Sequence, residues 1–325
     1  MKKTLSLLMC ILFFSSCSAS KNINNIKRSE YFLGTLISLT VFDYGLSEKT
    51  VIDDCFSLVS EYEHLFSYYD HTSELYHINQ NANQHPVEVS NIMFDLISRS
   101  LEYCELTNGA FDIGLGKIIA LWDEASTQEL PPDKEDISLF AGFKGYEHII
   151  IDNLNKTIYF DDERVSIHLG ACAKGYVQDI IVNFLKDKGV KSALLDFGGS
   201  IYAIGCKNEK PFSIGITDPL SNGDIIGTVD ISDMAVVTSG NYRRFFEYDG
   251  VIFHHIIDSR TAFPSDNGIN SVSVFSDSAF MGDCLSTAAF VLGPEEAVVL
   301  LSSENTGYVI VTDDSVKVNG VILRK

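Results

Sequence analysis

The second half of the chain is a succession of short β-branched runs, and this limits the fold most. From about Glu147 onward it reads HIIID, TIYF, VSIHL, SALLDF, FSIGI, AVVTS, SVSVF and YVIVT, with turn formers between the runs. Short runs rich in Val, Ile and aromatic residues build sheets. Asp249-Gly250 and Asn319-Gly320 are candidate hairpin turns. Two helices interrupt the runs: Lys174 to Lys188, stopped by Gly189, and Ala279 to Leu292, stopped by Gly293-Pro294. The first half differs. Leu36 to Phe42 alternates like a strand, whereas Val51, Cys55, Leu58, Val59, Tyr62 and Phe66 recur at helical spacing. Ser73-Glu74-Leu75 marks a helix start, and Ile92 to Leu106 forms another amphipathic helix. The expected fold class is α+β (mixed α/β), with a helix-rich first lobe, a sheet-rich second lobe and no linker between them.

With 325 residues, 46% of them hydrophobic, the chain can bury a large core. A net charge of −20 without any basic run disfavours nucleic-acid binding. It also means that an anionic ligand needs a local cation, a metal or a placed lysine, to be held. Lys2 and Lys3, the apolar run Leu5 to Phe14, and Ser15-Ser16 before Cys17 read as a targeting leader too short to span a bilayer. Cysteine directly after small residues resembles a bacterial lipobox. The expected division is residues 1–16 as signal peptide, 17–30 as lipidated Cys17 and polar tether, and 31–325 as the functional domain. Cys55, Cys104, Cys172, Cys206 and Cys284 show no CxxC spacing, so neither a zinc site nor a redox pair is indicated.

Four constellations carry chemistry. In VSIHLGACAKGYVQDIIVNFLKDKG a strand, a glycine turn and a helix start bring Gly170, Lys174 and free N–H groups together, as an anion site or an ordinary connection. In MGDCLSTAAF, Asp283 and Thr287 lie four apart on one helix face, suiting either a hard cation or a capped helix. VVTSGNYRRFF…FHHIIDSRTAFP holds Arg243, Arg244 and the pair His254-His255, of which strand alternation lets at most one face a site. A histidine there could act as a base near neutral pH or make a structural bond. GAFDIGLGKIIALW holds the sole tryptophan and suits packing against a flat ring or a core turn, and Gly198-Gly199 permits close backbone approach to a ligand or a sharp bend.

Taken in order, LGT, SYYDHTSEL, GAFDI, LGACAKGY, DFGGSIYAIG, IGITDP, VTSGNYRRFF, HHIIDSRT and GDCLSTAAFVLG resemble the ApbE-type flavin transferases from about Tyr31 to the C-terminus. The resemblance implies transfer of the FMN part of FAD to a protein hydroxyl, with release of AMP. It implies a FAD cleft between the lobes, lined by Leu33, Tyr69, Ala110, Phe111, Asp112, His168, Lys174, His255 and Ile256. It places Mg²⁺ on the Asp283 carboxylate, the Thr287 hydroxyl and carbonyls near Ala171 and Ser286, with His255 and Asp283 as catalytic groups. The implied partner is an exported or membrane flavoprotein subunit with a D-x-x-(S/T)-G-A-(S/T) motif, which this chain lacks. The implied location is the periplasmic side of a bacterial inner membrane. Alternatives are a metal-dependent FAD pyrophosphatase and a non-catalytic flavin-binding lipoprotein. Three residues depart from the family pattern: His168 stands where aspartate is usual, and Ser259 and Ala262 alter DPRTG to DSRTA. If His168 faces ligand, binding should vary between about pH 5 and 8, where histidine ordinarily titrates.

Overall fold

The computed structural model describes residues 25–42, 48–221 and 223–325, so Cys17 and its leader lie outside the described residues. The first part comprises β1 (Asn25–Phe32), β2 (Thr35–Phe42), α1 (Glu48–Phe66), α2 (Glu74–Asn81), β3 (Val87–Glu88), α3 (Asn91–Leu106), α4 (Gly116–Gln128), α5 (Lys134–Ser138), β4 (Ile149–Asp152) and β5 (Thr157–Phe160). Then come α6 (Ala173–Asp187), β6 (Ser192–Phe197), β7 (Ser200–Gly205), β8 (Phe212–Thr217), β9 (Ile225–Ile231) and β10 (Met234–Gly240). The chain continues through β11 (Phe245–Tyr248), β12 (Val251–His254), β13 (Ile257–Asp258), β14 (Phe263–Pro264) and β15 (Ile269–Ser276). It ends with α7 (Ala279–Leu292), α8 (Pro294–Ser303), β16 (Gly307–Thr312) and β17 (Val316–Asn319).

One sheet organises these elements, in the order β1-β2-β6-β7-β10-β15-β16-β17 and antiparallel throughout. The fold is mixed α/β as expected, with one refinement: the N-terminal hairpin β1–β2 extends the C-terminal sheet, because β2 pairs with β6 from Ile37–Phe197 to Val41–Ala193. Strand alternation gives the sheet two apolar faces. On β10, Ala235 and Val237 join the helix-side core, while Val236 packs under the β8–β9 hairpin with Phe212, Ile214 and Val229.

Ser73 caps α2 by accepting from the Tyr76 N–H, and Gly293 closes α7, both where the sequence places them. Asp249-Gly250 turns between β11 and β12. Asn319-Gly320 makes no hairpin; it ends β17, and the turn between β16 and β17 falls on residues 313–315. VSIHL is not a strand either. It makes one parallel bridge, Leu115–Ser166, because Ile167 is held instead by the Asn79 side chain at both its N–H and its carbonyl.

α6 and α7 set the geometry of everything beyond the sheet. α7 is apolar on nearly all sides and packs against β10, β15 and α6. The helices meet at Gly175, where a Cβ would come within 2.3 Å of the Ala279 carbonyl oxygen. That approach brings the Gly175 N–H to Asp283 Oδ2 at 2.6 Å. In return Asp179 of α6 caps α7, accepting from the N–H groups of Ala279 (2.7 Å) and Phe280 (3.1 Å) and from the Ser278 hydroxyl (2.6 Å). Gly175→Ala should therefore destabilise the protein by about 3 kcal/mol through overpacking against fixed backbone, measured as the shift in a urea unfolding curve. A change below about 0.5 kcal/mol would mean the helices do not meet so closely.

Candidate active site

A cavity of about 470 Å³ opens between the helical segment and the sheet ends. Its floor is Ala171 and Lys174 at the start of α6 with Asp283 and Thr287 on α7; Tyr69, Ala110, Phe111, Asp112, His168, His255 and Ile256 line its walls. All but two of the expected site residues are thus brought together. Leu33 does not line it; its N–H is bound by Glu63 Oε1 at 2.6 Å, and its neighbours Gly34 and Thr35 line the wall instead. Ser286 is fully buried behind the floor, its hydroxyl 2.9 Å from that of Ser239.

The bare N–H groups expected at the start of α6 are largely taken. Ala173 N–H goes to the Leu169 carbonyl and Gly175 N–H to Asp283. An anion here would meet the Lys174 ammonium rather than exposed backbone. Asp283 does not cap its own helix, a role held by Ser278; it caps α6. Burial raises its pKa, partly offset by Lys174 and the Gly175 N–H. Among the described residues only Oδ2 has a hydrogen bond, so Oδ1 is available to the cavity. Thr287, one turn on, lies 3.4 Å from Ser239 Oγ. No group of three His, Cys, Asp or Glu that could hold a metal occurs among the described residues. One carboxylate, one hydroxyl and nearby carbonyls form an all-oxygen donor set, which fits a Mg²⁺ ion that keeps phosphate or water ligands and does not fit zinc.

Of the paired histidines, His254 turns inward, Nε2 2.8 Å from the Ser265 carbonyl, while His255 faces the cavity. His255 Nδ1 donates to the Arg244 carbonyl at 3.3 Å, which leaves Nε2 as the unprotonated nitrogen. Crowding by protein atoms, then the Arg244 charge, holds it well below the usual histidine range. Burial lowers the His168 pKa to about 4, below the range between pH 5 and 8 where histidine ordinarily titrates. Its Nδ1 accepts from the Gly170 N–H at 3.2 Å, the bond to residue i+2 that an aspartate side chain makes in an Asx turn. Gly170 is needed beside it, since a Cβ would sit 2.6 Å from the imidazole.

Several site residues went unassigned in the sequence. Asp123 accepts from the Tyr69 hydroxyl at 2.6 Å and so aims that ring; only its place beside Trp122 could have drawn attention to it. Arg243 and Arg244 stand in a flagged motif and line the cavity, and neither is within ion-pairing distance of a carboxylate among the described residues. Gly198-Gly199 forms the sharp bend between β6 and β7, the second of the two readings, and is packed by the protein itself: a Cβ at Gly198 would meet Thr35, and one at Gly199 the Arg243 guanidinium.

The ApbE family model matches residues 33–311. The chain belongs to the ApbE family. It is 32% identical to an FAD:protein FMN transferase of Treponema pallidum, covering 91% of this chain and 87% of that one. It is 31% identical to one from Klebsiella pneumoniae, covering 84% of each. Among solved structures, the ApbE protein of Thermotoga maritima superposes with a TM-score of 0.85 at 29% identity, over 91% of this chain and 97% of that one. Flavin transferase ApbE from Vibrio cholerae does so with 0.81 at 25%, over the same shares.

Asp112 gives the site a pH signature. Its Oδ1 accepts from the Gly114 N–H at 2.7 Å, while Oδ2 is buried without a partner among the described residues. Burial raises the carboxyl from 3.8 to about 7, against the pull of nearby backbone N–H groups. A carboxyl raised on folding contributes stability that is whole below pH 3.8 and lost as pH rises through about 7. Urea unfolding of the parent should thus weaken between pH 4 and 8 relative to Asp112→Asn. Parallel stability profiles would show that Asp112 ionises normally in the fold.

Proposed function

We infer that the protein is an FAD:protein FMN transferase, moving the FMN moiety of FAD onto a threonine or serine hydroxyl of a partner flavoprotein with release of AMP. The observation that carries this reading is one cavity, on an ApbE scaffold, that combines the Asp283–Thr287 oxygen pair, Lys174 and a neutral His255. FAD is a dianion at its pyrophosphate, and Lys174 with the floor offers the local positive counterpart that an acidic chain otherwise lacks. Asp283 Oδ1, the Thr287 hydroxyl and carbonyls near Ala171 and Ser286 would hold Mg²⁺. Bound there, the ion would supply charge withdrawal from phosphorus and stabilisation of the leaving AMP.

The chain's own residues account for the remainder. His255 Nε2, left unprotonated in the tautomer that the Nδ1–carbonyl bond selects, accepts the proton of the attacking hydroxyl. The new bond joins the acceptor oxygen to the FMN phosphorus; the bond to the bridging oxygen breaks, and its electron pair leaves with AMP. Tyr69, aimed by Asp123, offers a ring face on the cavity wall, while Lys174 neutralises a non-bridging oxygen. The leader and Cys17 support a lipid-anchored location on the periplasmic side of a bacterial inner membrane, where an exported acceptor bearing the D-x-x-(S/T)-G-A-(S/T) motif would be met.

Mixing the protein with FAD, Mg²⁺ and a peptide carrying that motif should yield FMN-bearing peptide by mass spectrometry. AMP release should be far faster with the peptide than without it, since a docked hydroxyl has an effective concentration on the order of 10⁵ M or more. Free FMN produced at one rate with or without peptide would instead make the protein a pyrophosphatase. Asp283→Ala, or excess chelator, should abolish AMP release, and Thr287→Ala should lower it less; full turnover in either the variant or the chelator would remove the metal from the reaction. Separately, Cys17→Ala should move the protein from the membrane fraction to the soluble one, and unchanged partitioning would exclude a lipid anchor at this cysteine.

A further inference from the structure

The β11–β12 hairpin forms a two-stranded sheet of its own, unpaired with the main sheet. Its inner face is anchored: Phe246 stacks on Phe253 at 5.3 Å between ring centroids, and Phe253 stacks on Trp122 at 5.4 Å. On its other face Phe245 and Ile252 stand open beside Glu247, 50% and 57% exposed. The hairpin's ends explain where that surface leads. β11 is entered from Arg243 and Arg244, and β12 is left at His255, and all three line the cavity.

We propose that this hairpin, together with Arg244, is the docking surface for the acceptor protein, taking an extended segment that carries a carboxylate near its reactive hydroxyl. The inference rests on the transferase reading. The bond from His255 Nδ1 to the Arg244 carbonyl brings both ends of the hairpin together at the cavity. An edge strand offers unpaired backbone groups to an extended peptide, and Phe245 and Ile252 offer apolar contact beside it. Charge selects the occupant. The enzyme's −20 would repel an acidic partner at long range, so a guanidinium with no carboxylate partner among the described residues is a specific local receptor for one. Arg243 is partly committed, donating to the Gly198 carbonyl; Arg244 is the freer of the two, its guanidinium lying over the Gly34 turn.

The test uses the full chain saturated with FAD and Mg²⁺, and a soluble acceptor protein bearing the motif. Phe245→Ser/Ile252→Ser should raise the KM for acceptor about tenfold or more, while FAD affinity, acceptor-independent AMP release and the thermal midpoint stay at parental values. Arg244→Gln should raise the same KM and flatten its dependence on salt. An acceptor whose carboxylates nearest the hydroxyl are changed to amides should show the parental enzyme's loss without a further loss in Arg244→Gln. Parental KM values in both enzyme variants would overturn the proposal. So would loss of FAD affinity in Arg244→Gln with acceptor KM intact, which would assign the guanidinium to the nucleotide. If the double variant instead loses binding to phosphatidylglycerol–phosphatidylethanolamine vesicles at unchanged KM, the surface meets the membrane and the proposal fails. Absence of FMN transfer by the parent itself would mark failure of the transferase reading, a different result from transfer that ignores the hairpin.

Discussion

The reciprocal capping of α6 and α7 is the interaction on which the site depends. Each helix supplies an aspartate to the other's N-terminus: Asp179 holds the start of α7, and Asp283 holds Gly175 in the first turn of α6. Carboxylates at helix N-termini are favoured by the unsatisfied N–H groups and by the helix dipole. Burial raises both carboxyls, and those same N–H groups draw them back. The pairing fixes Lys174, Ala171 and Thr287 relative to one another, because each sits within a turn of a capped position. It also divides the Asp283 carboxylate between two tasks, with one oxygen tied to backbone and the other facing the cavity. A carboxylate immobilised in this way loses little freedom on taking a ligand, which is what preorganisation of a binding site requires.

Around that floor basic side chains gather beside the acidic ones, Asp112, Asp123 and Asp283. The chain as a whole is strongly acidic, yet Lys174, Arg243 and Arg244 converge on one cavity. Burial raises the Asp112 carboxyl to about 7, and the Asp123 carboxylate accepts from the Tyr69 hydroxyl. Burial at His168 and crowding by protein atoms at His255, with the neighbouring cations, lower the pKa of both histidines. Neutral histidine can accept a proton where protonated histidine cannot, so the cations that attract an anion also keep the base ready.

Much of this was legible in the sequence because local rules decided it. The four-residue spacing of Asp283 and Thr287 places both on one face of α7 whatever packs against it, and strand alternation separated His254 from His255 before any contact was known. Ser73, Gly189 and Gly293 mark helix ends through capping alone. What escaped depended on distant partners. Nothing in Thr35–Phe42 says that it pairs with a strand some 160 residues later, and nothing around Asp179 says that its carboxylate caps another helix. Asn319-Gly320 has turn chemistry but no following strand to pair back, so propensity gave way to the end of the sheet. VSIHL has strand composition, but the Asn79 side chain took the backbone groups a ladder would have used.

The three residues at which the motifs depart from the family resemblance are each held by local bonds. His168 keeps the i+2 bond to Gly170 through a nitrogen instead of a carboxylate oxygen, so the turn into α6 survives while a negative charge leaves the cavity. Ser259 stands where the family more often has proline, and its hydroxyl donates to the Gly109 carbonyl at 3.1 Å, tying the loop that leads to Asp112 to the segment beyond His255. Proline could not make that bond. Ala262 replaces the commoner glycine in the left-handed region, φ +60°, at a cost of roughly 1–2 kcal/mol for a residue with a Cβ. Its carbonyl accepts from Trp122 Nε1 at 2.9 Å, and its N–H is bound by the Asp258 carbonyl at 2.7 Å, so both backbone groups are fixed from outside. Trp122 is also the ring on which Phe253 of the hairpin stacks, so the strained turn and the proposed docking surface share one support. The conformation is thus imposed by the surroundings rather than chosen by residue 262.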